Sequence, residues 1–370
     1  MTTLVPGPRR GAVAAPPSKS HAHRLLVANF LAGDRAGLAD AACDSADVLA
    51  TKRCLRALAA DDPRPVLDCG ESGSTLRFLA PVAAALGRAP EWVRRGRLAE
   101  RPFMPYPTLA AGVHEIPGDV SSQFVTGLLF ALPLLAGDSR IRFTSPLESR
   151  GYVEMTLAVL RGAGVDVAET ADGYAVPGGQ RYRAQSAAVE GDWSGAAFWL
   201  AMNALGSAVE VTGLRADSAQ PDRAIVAMLA RLADGGGSVS LDVSQCPDNF
   251  PALAVAAAAF PRRTTFTGIA RLRLKECDRA AAMAETLAGF GVRAENGASE
   301  FVVHGVDGRF AGGGSLRSFG DHRVAMAAAA GATIADSPVS LDDAACAAKS
   351  YPGFFRLYGE LREDGAALAI

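Results

Sequence analysis

The sequence predicts an α/β protein assembled from six repeated units. Three observations carry this reading. An Ala/Leu-rich segment with a polar start recurs six times, β-like runs bounded by turn residues lie between the copies, and the composition supplies small side chains for the interior. Of the 370 residues 49% are hydrophobic but only 7% aromatic, so the cores must be mainly Ala, Leu and Val. At roughly 150 residues per domain, the length suggests two or three domains.

The six segments, in order, are SKSHAHRLLVANFLAG (18–33), ESGSTLRFLAPVAAALG (71–87), SSQFVTGLLFALPLLAG (121–137), GDWSGAAFWLAMNALG (191–206), PDNFPALAVAAAAF (247–260) and GDHRVAMAAAAGATIA (320–335). Measured from Ser20, Ser74, Ser122, Ser194, Asn249 and His322, they are spaced by 54, 48, 72, 55 and 73 residues, a mean near 60, so six units fill the chain. Each opens with Ser, Asp or Asn, which can cap free N–H groups, and continues as a helix apolar nearly all round. A helix with so little polar face must be buried. Strands are expected at 140–146, 207–213, 238–244, 264–268, 300–305 and 338–343, where β-formers meet turn residues. Helices at 154–165, 223–233 and 279–292 alternate Ala/Leu with charge and should be half exposed. Likeness of composition could by itself produce such a series, but the charges are placed unevenly. Lys19, Arg24, Arg77 and Arg323 lie in first turns of the buried helices, and Ser121, Ser122 and Gln123 open another. Helix N-termini carry unpaired N–H groups and a positive dipole end, so several facing one cavity would hold a strongly anionic substrate.

Charge and cysteine content exclude other classes. A net charge of −2 argues against a broad basic surface for nucleic acid. Six cysteines, at 43, 54, 69, 246, 277 and 346, form no C-x-x-C pair and read as reduced and mostly buried. The N-terminal stretch has an Arg pair but no apolar run behind it, so no signal peptide is expected. The most apolar runs, 124–137 and 252–260, fall short of a membrane span. A cytoplasmic protein is expected. His21 and His23, two apart, lie on different sides of a helix without a nearby carboxylate, which argues against a metal.

Four motifs stand out chemically. In PSKSHAHR (17–24), a Lys, Ser and Arg meet at a helix entrance, where capping alone would account for the serines. RLKECDR (273–279) sets Lys275, Glu276, Asp278 and Arg279 within five residues, a cation beside a carboxylate as proton transfer at a bound anion requires. A solvated, charged helix start is the competing reading. SFGDHRVAM (318–326) puts Asp321, His322 and Arg323 before an Ala-rich helix, where surface charge has no purpose. Lys349 in CAAKSYPGFF (346–355) lies among small and aromatic residues, as a snorkelling lysine also would.

The ordered set SKSxxxR, GESGSTLRFL, ERP (100–102), SSQF, SRGY (149–152), PDNFP, LKECDR, GDHRVAM and AAKSYPGF, from residue 18 to 355, closely resembles the 5-enolpyruvylshikimate-3-phosphate synthase family of enolpyruvyl transferases. UDP-N-acetylglucosamine enolpyruvyl transferases share the six-unit architecture but lack LKExDR and DHRxAM in this form. They normally carry a loop cysteine, and residues 91–103 contain none. A non-catalytic binding module of the same fold is the other alternative, and it would be expected to have lost Lys19, Asp248, Glu276 or Arg323.

The resemblance implies a two-domain inside-out α/β barrel of six βαβαββ units, three per domain, with buried parallel helices. It implies a central domain at 18–188 and a discontinuous one formed by 1–17 and 189–370, the two closing over substrates. It implies transfer of the enolpyruvyl group of phosphoenolpyruvate to the 5-hydroxyl of 3-phosphoshikimate by addition and elimination. Asp248 would accept the hydroxyl proton and Glu276 would donate to the methylene carbon, with Lys19, the third catalytic residue, close to both substrates and able to shuttle charge. Lys19, Ser20, Arg24, Ser121, Ser122, Gln123, Ser149, Asp248 and Lys275 would contact 3-phosphoshikimate. Lys19, Gly73, Arg101, Gln123, Arg279, Arg323 and Lys349 would contact phosphoenolpyruvate. No metal or organic cofactor, no nucleic acid and no membrane is implied, and a monomer is expected. Two positions depart from the pattern. Glu71 stands where Asn is frequent and would repel an anion unless paired, with Arg77 the candidate partner; Arg271 also replaces a frequent Asn.

Overall fold

The computed structural model describes residues 1–41, 44–234 and 236–362; Cys43 lies outside them. The chain divides into two compact units, Met1–Ser18 with Glu190–Ile370, and Lys19–Val189.

Strands β1 (Thr2–Leu4) and β2 (Arg10–Ala14) open the chain and belong to the first of these units. The Lys19–Val189 unit follows as α1 (Lys19–Leu31), α2 (Ala46–Ala59), β3 (Val66–Asp68), α3 (Gly73–Ala85), β4 (Glu91–Val93), β5 (Val113–Ile116), α4 (Ser122–Ala131), β6 (Ser139–Phe143), α5 (Arg150–Gly162), β7 (Ala168–Thr170) and β8 (Gly173–Val176). The other unit resumes with α6 (Trp193–Ala204), β9 (Ala208–Thr212), α7 (Ile225–Ala233), β10 (Val239–Asp242), α8 (Phe250–Ala258), β11 (Arg263–Thr267), α9 (Arg279–Gly289), β12 (Arg293–Asn296), β13 (Glu300–His304), β14 (Ser315–Leu316), α10 (His322–Ala332), β15 (Val339–Leu341) and α11 (Phe354–Glu360).

The six recurrent segments are α1, α3, α4, α6, α8 and α10. All nine residues of α8 and all eleven of α10 are buried, as helices without a polar face must be. The outer helices show one buried stripe; in α7 it is Ile225, Leu229 and Leu232, spaced as one helical face requires.

Strand pairing repeats too. Sheet order β5-β6-β8-β7 is parallel, antiparallel, antiparallel, and order β10-β11-β13-β12 has the same senses. With α4 and α5 in one case and α8 and α9 in the other, residues 113–176 and 239–304 are each a complete βαβαββ unit. Helices α3 and α10 join parallel pairs as well, β3 with β4 and β14 with β15. Parallel neighbours require such a crossover, which places a helix against the sheet. Strand β2 pairs in parallel with β9, Val13 opposite Val211, although 193 residues lie between β2 and β9. Small residues permit close helix packing. Gly127 on α4 faces the carbonyl of Arg77 on α3, and a Cβ there would collide with it. Cys54, Cys69, Cys246 and Cys277 are free and buried, and Cys346 is free and half-buried. Among the described residues no helix is long and apolar enough to cross a membrane.

Candidate active site

The expected site residues fall into two groups, one in each unit. In the Lys19–Val189 unit they gather at helix starts. Ser72 caps α3 by accepting from Thr75 N at 3.3 Å, and Ser121 caps α4 by accepting from Gln123 N at 3.3 Å. Gln123 then links the two helix starts: its amide donates to Ser74 Oγ at 2.9 Å and its carbonyl accepts from Arg77 Nη1 at 2.6 Å. Arg77 also donates to Pro102 O at 3.1 Å. Gly73 lies under two guanidinium groups, since a methyl there would be 2.8 Å from Arg77 Nη1 and 3.3 Å from Arg101 Nη1. Two arginines over the start of α3 make a cationic cradle suited to a phosphate or carboxylate. The Glu71 side chain packs against the backbone of Gly96.

Lys19 opens α1 and pairs with Asp47 in the first turn of α2 at 3.0 Å, both nearly buried. One turn on, His23 Nδ1 meets Thr51 Oγ1 at 2.7 Å, Thr51 meets Thr75 Oγ1 at 2.6 Å, and Thr75 donates to Ser72 Oγ at 2.7 Å. This buried ladder ties the starts of α1, α2 and α3 together. Burial drives His23 down to about 3, against the pull of Asp47, so the ring is neutral. Arg24 is buried and donates to Thr156 Oγ1 at 2.9 Å, Ser20 O at 2.6 Å and Tyr152 O at 2.8 Å. Burial brings it down to about 10. These bonds use three of its five N–H donors and fix Ser20 on the adjacent turn. Ser122 is buried at the first position of α4. Ser149, before α5, holds a left-handed backbone at φ 54°, an arrangement a non-glycine residue keeps only where surroundings enforce it.

The second group is denser in charge. Asp248 occupies the 3-10 turn Pro247–Asn249 before α8. Its Oδ1 accepts from Arg279 Nη1 at 2.7 Å and Lys275 Nζ at 3.3 Å, and its Oδ2 from Arg323 Nη2 at 2.9 Å. Arg279, almost wholly buried at the start of α9, also reaches Glu276 Oε2 at 2.7 Å and Asp321 Oδ2 at 2.7 Å. Asp321 caps α10 by accepting from Arg323 N at 2.9 Å and takes a 3.5 Å contact from the Cys277 thiol. Burial pushes Asp248 upward, but Arg323, Lys275 and Arg279 outweigh it and hold the carboxyl well below its usual range. Burial also brings Lys275 down to about 8, partly offset by Asp248. Arg271 donates to Ser244 O at 2.6 Å. Lys349 is buried in a 3-10 turn, Ala345–Lys349.

Sequence reasoning missed Asp47, because α2 has a weaker pattern than the Ala-rich helices; its signal is Ser45, which caps α2 by accepting from Val48 N, with Asp47 in the first turn. It also missed the Thr51–Thr75 contact, which no local pattern announces. Asn249, just before α8, makes no side-chain cap; it donates to Asp222 O at 2.9 Å and anchors the turn that carries Asp248.

A family profile described as EPSP synthase (3-phosphoshikimate 1-carboxyvinyltransferase) matches residues 97–357. A 3-phosphoshikimate 1-carboxyvinyltransferase of Clostridium kluyveri is 36% identical, covering 98% of both chains. One of Clostridioides difficile is 32% identical, covering 95% of both. A solved EPSP synthase of Acinetobacter baumannii superposes with a TM-score of 0.76 at 21% identity, covering 99% of this chain and 98% of that one, a likeness of fold.

Proposed function

The chain belongs to the EPSP synthase family, and from that premise we infer that it transfers the enolpyruvyl group of phosphoenolpyruvate to the 5-hydroxyl of 3-phosphoshikimate, releasing phosphate. The nearly full-length match to relatives named 3-phosphoshikimate 1-carboxyvinyltransferase carries this reading. The step belongs to the shikimate pathway of aromatic biosynthesis.

The reaction is an addition followed by an elimination. In the first half the 5-hydroxyl loses its proton as its oxygen bonds to C2 of phosphoenolpyruvate, and the methylene carbon gains a proton. In the second half that carbon returns a proton and the C2–O bond to phosphate breaks. Asp248 takes the hydroxyl proton and Glu276 supplies the methylene proton, with Lys19 beside both substrates. Glu276 Oε2 lies 2.7 Å from Arg279 Nη2, so an anion that engages this nitrogen competes with Glu276 for it. Ser121, Ser122, Ser149 and Lys275 take the 3-phosphate, and Ser20 with the remaining donors of Arg24 takes the carboxylate. Gln123 contacts both substrates. Gly73, Arg101, Arg279, Arg323 and Lys349 receive the phosphate and carboxylate of phosphoenolpyruvate, supported by the paired guanidinium groups at Gly73.

Each chain carries the whole residue set, so a monomer suffices, and phosphorylated substrates suit a cytoplasmic enzyme. The test is phosphate release from phosphoenolpyruvate with 3-phosphoshikimate as acceptor. Release with UDP-N-acetylglucosamine alone would replace this reading by the sister activity.

A further inference from the structure

Asp248 makes more contacts with cations than a proton acceptor needs. Three cations from two segments, the LKECDR motif and the start of α10, converge on its two oxygens: Lys275, Arg279 and Arg323, at 3.3, 2.7 and 2.9 Å. A carboxylate so held is a poor base, because each cation stabilises its charged form. Two of the three, Arg279 and Arg323, are also the groups assigned above to phosphoenolpyruvate. The two duties conflict only while the site is empty.

We propose that Asp248 doubles as an internal counter-anion, occupying in the free protein the cations that phosphoenolpyruvate must take. This rests on the assignment of Arg279 and Arg323 to that substrate. Glu276 likewise meets an outer nitrogen of Arg279, Nη2 at 2.7 Å, but Asp321 is placed differently. Asp321 is fully buried, caps α10 and grips Arg279 mainly through Nε at 2.7 Å, with a longer 3.5 Å contact to Nη2, so it holds the arginine in place whatever binds. Asp248 meets only the outer nitrogens, Nη1 of Arg279 and Nη2 of Arg323, which an incoming phosphate or carboxylate would claim. Its side chain keeps 18% exposure where that of Asp321 has none. An arriving anion therefore competes with Asp248, and with Glu276 at Nη2, while Asp321 keeps its Nε contact. Once the arginines turn to the ligand, Asp248 loses the charges that suppressed its basicity, so substrate binding and activation of the base are one event. When phosphate leaves, the carboxylate retakes the cations and opposes rebinding.

Removing this carboxylate should tighten anion binding. Calorimetric titration of phosphoenolpyruvate, and separately of inorganic phosphate, into wild type and Asp248→Asn is expected to show at least about tenfold tighter binding of both by the variant. That is the size expected for one charge several ångströms from a ligand at a partly buried site. Asp248→Ala, which removes the same charge differently, should show the same gain. Equal or weaker binding by both variants, with unchanged unfolding midpoints, overturns the counter-anion role. Arg323→Gln separates this from the underlying assignment. If it weakens phosphoenolpyruvate binding while Asp248→Asn brings no gain, the clamp stands and the counter-anion role falls. If it leaves that binding unchanged, both fall.

Discussion

The two units solve the problem of a polar site in an apolar protein differently. In Lys19–Val189 the helix starts are joined chiefly by neutral groups: Ser72, Thr75, Thr51 and His23 in one ladder, Ser74 and Gln123 in another contact. In the other unit the equivalent places hold three carboxylates, Asp248, Glu276 and Asp321, in contact with Arg279, and Asp248 in further contact with Lys275 and Arg323. Neutral hydrogen bonds hold their geometry whatever the pH or ligand charge. A charged cluster rearranges when another anion enters, because its members are interchangeable partners. Under the proposed function, the first region would chiefly position the substrates and the second would carry the Asp248 and Glu276 proton transfers.

The largest test of that contrast is Asp248→Asn. Turnover should fall by roughly 10²–10⁴-fold, as removal of a positioned base does, measured as phosphate release at saturating substrates. Near-normal turnover would break the comparison at its strongest point.

The second concerns pH. Lys275 is pulled down to about 8 by burial, faces Asp248, Glu276, Arg271 and Arg279, and is charged below that pH and neutral above it. Affinity for 3-phosphoshikimate should therefore fall toward tenfold per pH unit above about 8, the slope for one proton. Lys275→Arg should flatten the profile, since an arginine stays charged. A matching decline in the variant would remove Lys275 as its source.

A smaller effect is expected in the neutral region. Gly73→Ala places a methyl 2.8 Å from Arg77 Nη1, so one guanidinium must move. The KM for phosphoenolpyruvate should rise several-fold to about tenfold, or up to 1.4 kcal/mol, while kcat changes little. A fall in kcat with unchanged KM would mean that this region takes part in chemistry.

The smallest is Thr51→Val, which removes the middle hydroxyl of the buried ladder and leaves Thr75 without that 2.6 Å partner. A loss of about 1–2 kcal/mol in a denaturant titration is expected, with unaltered pH dependence of turnover. A shifted pH profile would show that the ladder is not electrically neutral to the reaction.

Much of the molecule was legible locally. The six buried helices are visible because an apolar face all round, a polar start and a recurrence of about 60 residues are properties of neighbouring residues. The short strands were harder: β3, β4 and β7 have three residues each, too few to show an alternation, and their identity comes from pairing. Helix α2 escaped because its buried positions include Asp47, Thr51 and Lys52, which read as a polar face.

The sequence by itself determined the repeat, the placement of cations and hydroxyls at helix starts, and the family, since each is carried by residues close together or by motifs in fixed order. Only the tertiary structure decided which charges touch. Asp248 meets partners 27, 31 and 75 residues away, Asp321 grips Arg279 across 42, and Lys19 finds Asp47 across 28. The physical reason is that periodicity is a local property of the chain, whereas the ionisation of a buried carboxylate depends on every charge within a few ångströms, from whichever segment the fold brings there.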